Sequence, residues 1–209
     1  PEEYLGAQLS QKTLPNGVKC WAITSNKYVN AAIKNVEEAV KKKAWKIPNK
    51  VKTPMSSIFV PEMDGTPELD ANETRFYQEL IGILRWATEL GRADILHEVS
   101  ILSQYQASPR IGHMEELLHI FGYLKKNPKL SIYMDPSLPC IDYGEFQSNP
   151  KDVEEYYRDA HEHLPNDIPR PRGRSVITTA FVDASFALNK KTRKSHTGYL
   201  LFVNRAPIS

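Results

Sequence analysis

The amino-acid sequence predicts an α+β chain, and three observations carry that expectation. Near the N-terminus, two short β-type runs flank a turn and lead into an amphipathic stretch. Between residues 71 and 128, apolar residues recur in three blocks with helical spacing. Toward the C-terminus, two runs rich in β-branched and aromatic residues flank a basic, polar loop.

Taken in order, Tyr4-Leu-Gly-Ala-Gln-Leu9 is a short apolar strand, and Leu14-Pro-Asn-Gly17 is a turn signal. Val18-Lys-Cys-Trp-Ala-Ile23 alternates as the returning strand, which makes a hairpin. Ser25 is placed to cap a helix whose apolar face carries Tyr28, Val29, Ala32, Ile33, Val36 and Val40. The stretch from Lys41 to Lys52 is basic, with one aromatic residue in its first half. Lys41, Lys42 and Lys43 can meet phosphates and Trp45 can stack on a base. The same composition also describes a solvated helix end and connector. The Pro-rich loop that runs from Thr53 to Pro67 is a plausible boundary.

Three helices follow. Asn72 or Asp70 caps the first, Phe76, Tyr77, Leu80, Ile81, Leu84, Ala87 and Thr88 form its stripe, and Gly91 ends it. The second buries Ile95, Leu96, Val99 and Leu102 and stops at Ser108-Pro109. The third buries Met114, Leu117, Leu118, Phe121 and Leu124 and stops at Asn127-Pro128. Connectors this short favour antiparallel neighbours, hence a small helical bundle. An Arg92–Asp94 pair at the start of the second helix suits a dipole-and-cap arrangement.

Leu130 to Met134 is a further strand. From Asp135 to Arg174 the chain is Pro-rich and polar, with an acidic middle and a basic end, and suits a connection carrying one helix from Asp152 to His161. His161-Glu-His163 supplies two metal-ligand types without a third nearby, so an exposed pair competes with a metal site. Val176 to Val182 and Tyr199 to Val203 then form a half-buried hairpin entered through Gly198. Alternation puts Phe181 and Asp183 on one face. Asp183, at the end of its strand, reads as a turn residue or as a first metal ligand. Lys190, Lys191, Arg193 and Lys194 make the connecting loop a phosphate contact or a solvated turn.

Length and composition narrow the field. A chain of 209 residues, 41% hydrophobic, forms one or two domains. A net charge of +2 argues against a uniformly basic nucleic-acid binder, so local charge matters more. Cys20 and Cys140, far apart, imply neither a disulfide partner nor a zinc module and suit a reducing interior. No apolar run is long enough to span a membrane, and no signal-peptide pattern is present. Both ends are expected to be cut from a longer chain.

Several of these stretches, in this order, resemble Ty1/copia-type retrotransposon polyproteins, which carry a reverse transcriptase followed by ribonuclease H. Tyr4-Leu5-Gly6, Ile23, Ser25, Tyr28 and Val29 resemble the end of the polymerase palm. Tyr77-Gln-Glu-Leu-Ile-Gly82, Arg92-Ala-Asp94-Ile, Leu102-Ser103, Pro109, His113 and Tyr123-Leu-Lys resemble the thumb signature. Asp183, Arg193, Ser195, Thr197, Gly198, Tyr199, Ile208 and Ser209 fall on the opening pattern of the nuclease. Ala93 stands where the family usually has Pro, and Ser185 and Leu188 where relatives often carry Asp and Gly.

The resemblance implies five segments: the C-terminal part of a palm (1–52), a linker loop (53–70), a helical thumb-like bundle (71–128), a connection (129–174) and the N-terminal strands of an incomplete ribonuclease H-like mixed sheet (175–209). It implies RNA-directed DNA synthesis and cleavage of RNA in a hybrid for the parent enzyme. The polymerase's Asp pair would lie upstream of residue 1. Asp183 would be the first of about four carboxylates that a two-Mg²⁺ nuclease needs. Alone it would hold Mg²⁺ weakly, and the chain is expected to be inactive by itself. The implied partners are a template-primer duplex or RNA/DNA hybrid and the rest of the polyprotein, in a cytoplasmic particle or the nucleus and not at a membrane. Lys41, Lys42, Lys43, Trp45, Lys190, Arg193 and Lys194 are the expected nucleic-acid contacts. A non-catalytic nucleic-acid-binding module and a plain helical interaction protein are the alternatives.

Overall fold

The computed structural model describes residues 3–140, 165–169 and 173–208. Over these residues the chain is α+β, with four helices and two antiparallel sheets. The proposed helix at 152–161 and the His161-Glu-His163 motif lie outside the described residues.

The expected N-terminal hairpin is present. Strand β2 (Ala7–Thr13) pairs with β3 (Lys19–Thr24), Leu9 opposite Ile23. Gly17 closes the turn at φ +82°, its amide donating to the Leu14 carbonyl at 2.8 Å. The single strand expected over 4–9 is instead broken. Leu5 and Gly6 both have positive φ, which a two-residue hairpin loop requires, so Glu3–Tyr4 (β1) folds back on β2. Strand β4 (Ser131–Met134) returns from the far side of the helices to pair with β3, Trp21 opposite Met134. The sheet order is thus β1-β2-β3-β4.

Helix α1 (Asn26–Lys41) buries Val29, Ile33, Val36 and Val40, a stripe three or four residues apart that faces the core. Ala32, expected on that stripe, is half-buried at its edge. Helix α2 (Ala71–Glu89) starts at Asp70. Its carboxylate accepts from the Asn72 and Glu73 amides at 2.8 Å, and the Glu73 side chain reaches back to the Asp70 amide. Phe76, Tyr77, Leu80, Ile81, Leu84 and Ala87 are buried as their spacing requires. Buried Tyr77 donates its hydroxyl to the Leu102 carbonyl at 2.8 Å.

Helix α3 (Leu96–Ser103) differs from expectation at both ends. A 3₁₀ turn over Ala93–Ile95 precedes it and sets its phase, so Ile95, Val99 and Leu102 are buried while Leu96 is 51% exposed. The helix also ends at Ser103, with turns filling the gap to Pro109. Helix α4 (Ile111–Lys126) is buried along most of its length, including Met114, Leu117, Leu118, Phe121 and Leu124. One hydrophobic core joins α1 to α2, α3 and α4, so the segments 1–52 and 71–128 share an interior.

Residues 48–68 form an irregular strap, with one 3₁₀ turn at Pro61–Met63, that runs antiparallel to α4. Its anchors follow the helix from C- to N-terminus. Lys126 donates to the Val51 carbonyl, His119 bonds the Thr53 carbonyl, and the Ser56 amide and hydroxyl donate to Glu116. His113 then bonds the Pro61 carbonyl, and Arg110 the Thr66 carbonyl. Gly122 lies directly under the Pro48 carbonyl, where any Cβ would collide with backbone. The loop expected at 53–70 is irregular, but it is docked rather than free.

The second sheet is β5 (Thr178–Ser185), β6 (His196–Val203) and β7 (Ala206–Pro207). Both of its faces are largely open, with Phe181 57%, Val182 68% and Tyr199 59% exposed, in contrast to the half-buried hairpin expected. No other layer among the described residues covers it. It meets the first unit near β4, where the Asn204 side-chain Nδ2 donates to the Pro136 carbonyl at 3.0 Å and Arg205 approaches Asp135.

The corner between α2 and α3 is closed by a buried guanidinium. Arg92, 1% exposed, donates from Nε and Nη2 to both oxygens of Asp94 at 2.8 and 2.7 Å, and from Nη1 to the Asn127 carbonyl at 2.9 Å. Gly91 precedes it at φ +104°, with the Ile132 side chain against the site of a missing Cβ. Removing one member of a buried pair strands the other and typically costs about 3–5 kcal/mol. Asp94→Ala, which leaves the buried guanidinium without its carboxylate, is therefore expected to lower the stability by about that amount, read as a lower urea midpoint. Exposed Arg85→Ala should leave the midpoint nearly unchanged.

Candidate nucleic-acid interface

The basic stretch after α1 splits by environment. Lys41 and Lys42 are exposed, as are Lys46, Lys50 and Lys52. None of the five forms a salt bridge among the described residues. Lys43 sits differently, with its ammonium 4.9 Å from the centre of the Phe76 ring. Trp45 packs against the core and is only partly exposed. Much of its ring is therefore engaged by the protein, and the exposed lysines are the outward feature of this stretch.

The second basic stretch joins β5 and β6. Asn189 shapes it, its side-chain oxygen accepting from the amides of Lys191 and Thr192 at 3.1 and 2.7 Å. Arg193 adopts φ +57° and donates its amide to the Asn189 carbonyl. Lys190, Lys191, Arg193 and Lys194 are exposed. The loop leans on the strap, where the Lys190 amide donates to Glu62 at 2.7 Å. On the neighbouring strand, His196 lies 3.3 Å from Gln104.

The two basic stretches do not merge into one track. The first meets α4 near Gly122 and Lys126, whereas Glu62 belongs to the part of the strap beside His113. At about 1.5 Å per helical residue, those points lie on the order of 15–20 Å apart along α4. Between them α4 carries Glu115, which is exposed, and Glu116, which is half-buried, and both oppose a polyanion.

Asp183 is exposed on β5, directly opposite Gly198 and two residues before the strand ends at Ser185. Phe181, Leu200 and Phe202 share its face, and Phe181 and Phe202 meet edge to face at 5.7 Å. Mg²⁺ takes several oxygen ligands. Among the described residues, no group of three or more His, Cys, Asp or Glu side chains is placed to hold a metal. The described surroundings of Asp183 do not fit a magnesium centre.

The most constrained titratable group belongs to α4 and carried no chemical expectation in the sequence. His113 is buried. Its Nδ1 accepts from the Arg110 amide at 3.0 Å, which leaves Nε2 to donate to the Pro61 carbonyl at 2.9 Å. Tyr105 stacks on its ring with centroids 4.2 Å apart. Burial holds its pKa below the usual histidine value, opposed by the Pro61 carbonyl and the Asp64 charge. Proton uptake therefore favours the unfolded chain. This contribution to stability is complete above the unfolded value of about 6.5 and declines as pH falls through it. The urea midpoint is expected to drop between pH 7.5 and 5.5. In His113→Gln it should be lower at pH 7.5 but less sensitive to pH.

Comparison with known proteins gives one match. A Saccharomyces cerevisiae protein named for the transposon Ty5-1 is 28% identical over 114 residues, covering 54% of this chain and 33% of its own length. The chain thus spans about one third of that relative. No family model matches the chain, and no solved structure matches it. About half of the chain is thus similar in sequence to part of a transposon Ty5-1 protein.

Proposed function

We propose that this chain is a section of a Ty1/copia-type retrotransposon polyprotein, running from the end of the reverse transcriptase palm through its thumb and connection into the first strands of ribonuclease H. In this role it supports binding of a template-primer duplex or RNA/DNA hybrid and performs no chemistry alone. The supporting observation is the ordered series of motifs, with the Ty5-1 similarity over 114 residues beside it. The exposed cations agree with such a role. A spacing on the order of 15–20 Å between the two basic stretches is less than one turn of a duplex, about 34 Å. One helix could therefore touch both while passing over the acidic stretch. Contacts of this kind read backbone and shape rather than sequence.

Fluorescence anisotropy with a labelled RNA/DNA hybrid tests the proposal. Affinity should fall linearly on a log–log plot against salt, and Lys190→Ala/Arg193→Ala/Lys194→Ala should reduce the slope by about 3, at about 0.9 per phosphate contact. Lys41→Ala/Lys42→Ala should reduce it further. Binding insensitive to salt and to both variants would leave the helical-interaction alternative. The purified chain with a primed template, Mg²⁺ and deoxynucleotides should yield no extension product, and extension would contradict the proposal.

A further inference from the structure

His113 closes the N-terminus of α4, its imidazole standing where a capping box usually has Glu or Gln. Nδ1 accepts from the Arg110 amide at 3.0 Å, so the ring's one neutral proton lies on Nε2 and goes to the Pro61 carbonyl at 2.9 Å. A single ring thus ties the first turn of α4 to the strap. Beside it, the Gly112 amide donates to the Thr66 hydroxyl at 3.0 Å and Arg110 Nη1 to the Thr66 carbonyl at 2.6 Å.

A second proton has one place to go, the Nδ1 lone pair. Placed there, it sets an N–H against the Arg110 N–H and removes the capping bond. Water does not reach that nitrogen in the closed arrangement. The His113 and Asp64 side chains are 3% and 4% exposed. Tyr105 stacks on the ring and Phe59 meets it edge-on. Gly112 lies so close to the Asp64 carboxylate that a Cβ would overlap it. Proton uptake and opening are therefore one event.

The charged and titratable groups around the ring come from three elements. On α4, the Arg110 guanidinium is also held by Glu68. On the strap, Asp64 Oδ2 lies 3.9 Å from Nε2 without a hydrogen-bond partner. Between α3 and α4, the Tyr105 phenol has Glu62 as its charged neighbour. Burial outweighs the pull of the Pro61 carbonyl and Asp64 on a proton, with Arg110 on the same side as burial, so the open form is the one that takes it. The far end of the second sheet rests on neighbours of this cluster. Glu62 accepts from the Lys190 amide at 2.7 Å, and Gln104 lies 3.3 Å from His196, a second group titrating in this range.

We infer that His113 is a proton-operated latch: while neutral it fastens residues 59–66, and through Glu62 the loop 189–194, to the first turn of α4, and a proton frees them together while the rest of the core stays folded. Core contacts of α1, α2 and the remainder of α4 are made elsewhere, so a local opening costs less than unfolding. The latch does not rest on the nucleic-acid reading, and its test uses no nucleic acid.

The test is amide hydrogen exchange of the full chain by NMR, expressed as protection factors corrected for intrinsic rates. The amides of Asp64, Thr66, Arg110 and Gly112 are hydrogen-bonded within the latch. In sub-denaturing urea their exchange should not respond, whereas that of Leu80 and Leu84 in α2 should, which separates local release from unfolding. From pH 7.5 to 5.5 their protection should fall about three- to tenfold, the range one histidine with an open-state pKa of about 6.5 allows. Lys190 exchange should rise with theirs in the wild type and in His196→Gln. His113→Gln, whose carboxamide can accept from Arg110 and donate to Pro61 without titrating, should abolish both changes. The wild-type readings decide the matter if that variant does not fold. Latch amides that share the urea response of Leu80 and Leu84, protection or Lys190 exchange that ignores pH in the wild type, or an undiminished pH response in a folded His113→Gln would overturn the inference.

Discussion

The buried Arg92 guanidinium is the constraint on which the described fold most depends. A charge removed from water is costly unless its donors are met, and here three of them are met by a carboxylate and a main-chain carbonyl. Asp94 belongs to the turn opening α3, and Asn127 ends α4. One side chain therefore fixes the relation between the corner after α2 and the point where the chain leaves the bundle for β4. Gly91 and Ile132 are in contact at the same place, so sheet and helices are registered together.

A second constraint is the strap. Its composition has few residues that form regular structure, and its backbone groups are satisfied largely by side chains of α4. Buried main-chain groups need such partners, and Lys126, His119, His113 and Arg110 supply donors along the helix. Glu116 answers the Ser56 amide. The outcome is an electrostatic division of the surface. Exposed lysines flank the upstream end, carboxylates gather in the middle, and the loop that holds Lys190 rests on Glu62.

How much of this was legible in the sequence depends on the range of the interaction. The α1, α2 and α4 stripes were readable because burial on a helix repeats with its turn, and Asp70 with Glu73 spelled out a cap. Leu96 misled because the 3₁₀ turn before α3 moves the phase, and apolar character alone does not reveal that rotation. Leu130 to Met134 could be recognised as a strand, but period-two alternation does not name a partner, and β3 lies far upstream. Local charge pointed to Lys41, Lys42, Lys190, Arg193 and Lys194, which are exposed cations in the fold. It did not reveal that Trp45 would pack on the core. Asp64 gave no signal beyond a turn-forming Asp-Gly pair, because its environment comes from a helix almost fifty positions away.

The β3–β4 pairing has a consequence for how the chain is made. Over a hundred residues separate Trp21 from Met134. At roughly 5–20 residues per second of synthesis, the N-terminal hairpin waits several seconds to tens of seconds with one edge bare. A lone hairpin is marginal in water. During that interval α1, finished early, is the element available to steady it, and the ribosome releases a completed sheet only after α2, α3 and α4 have emerged.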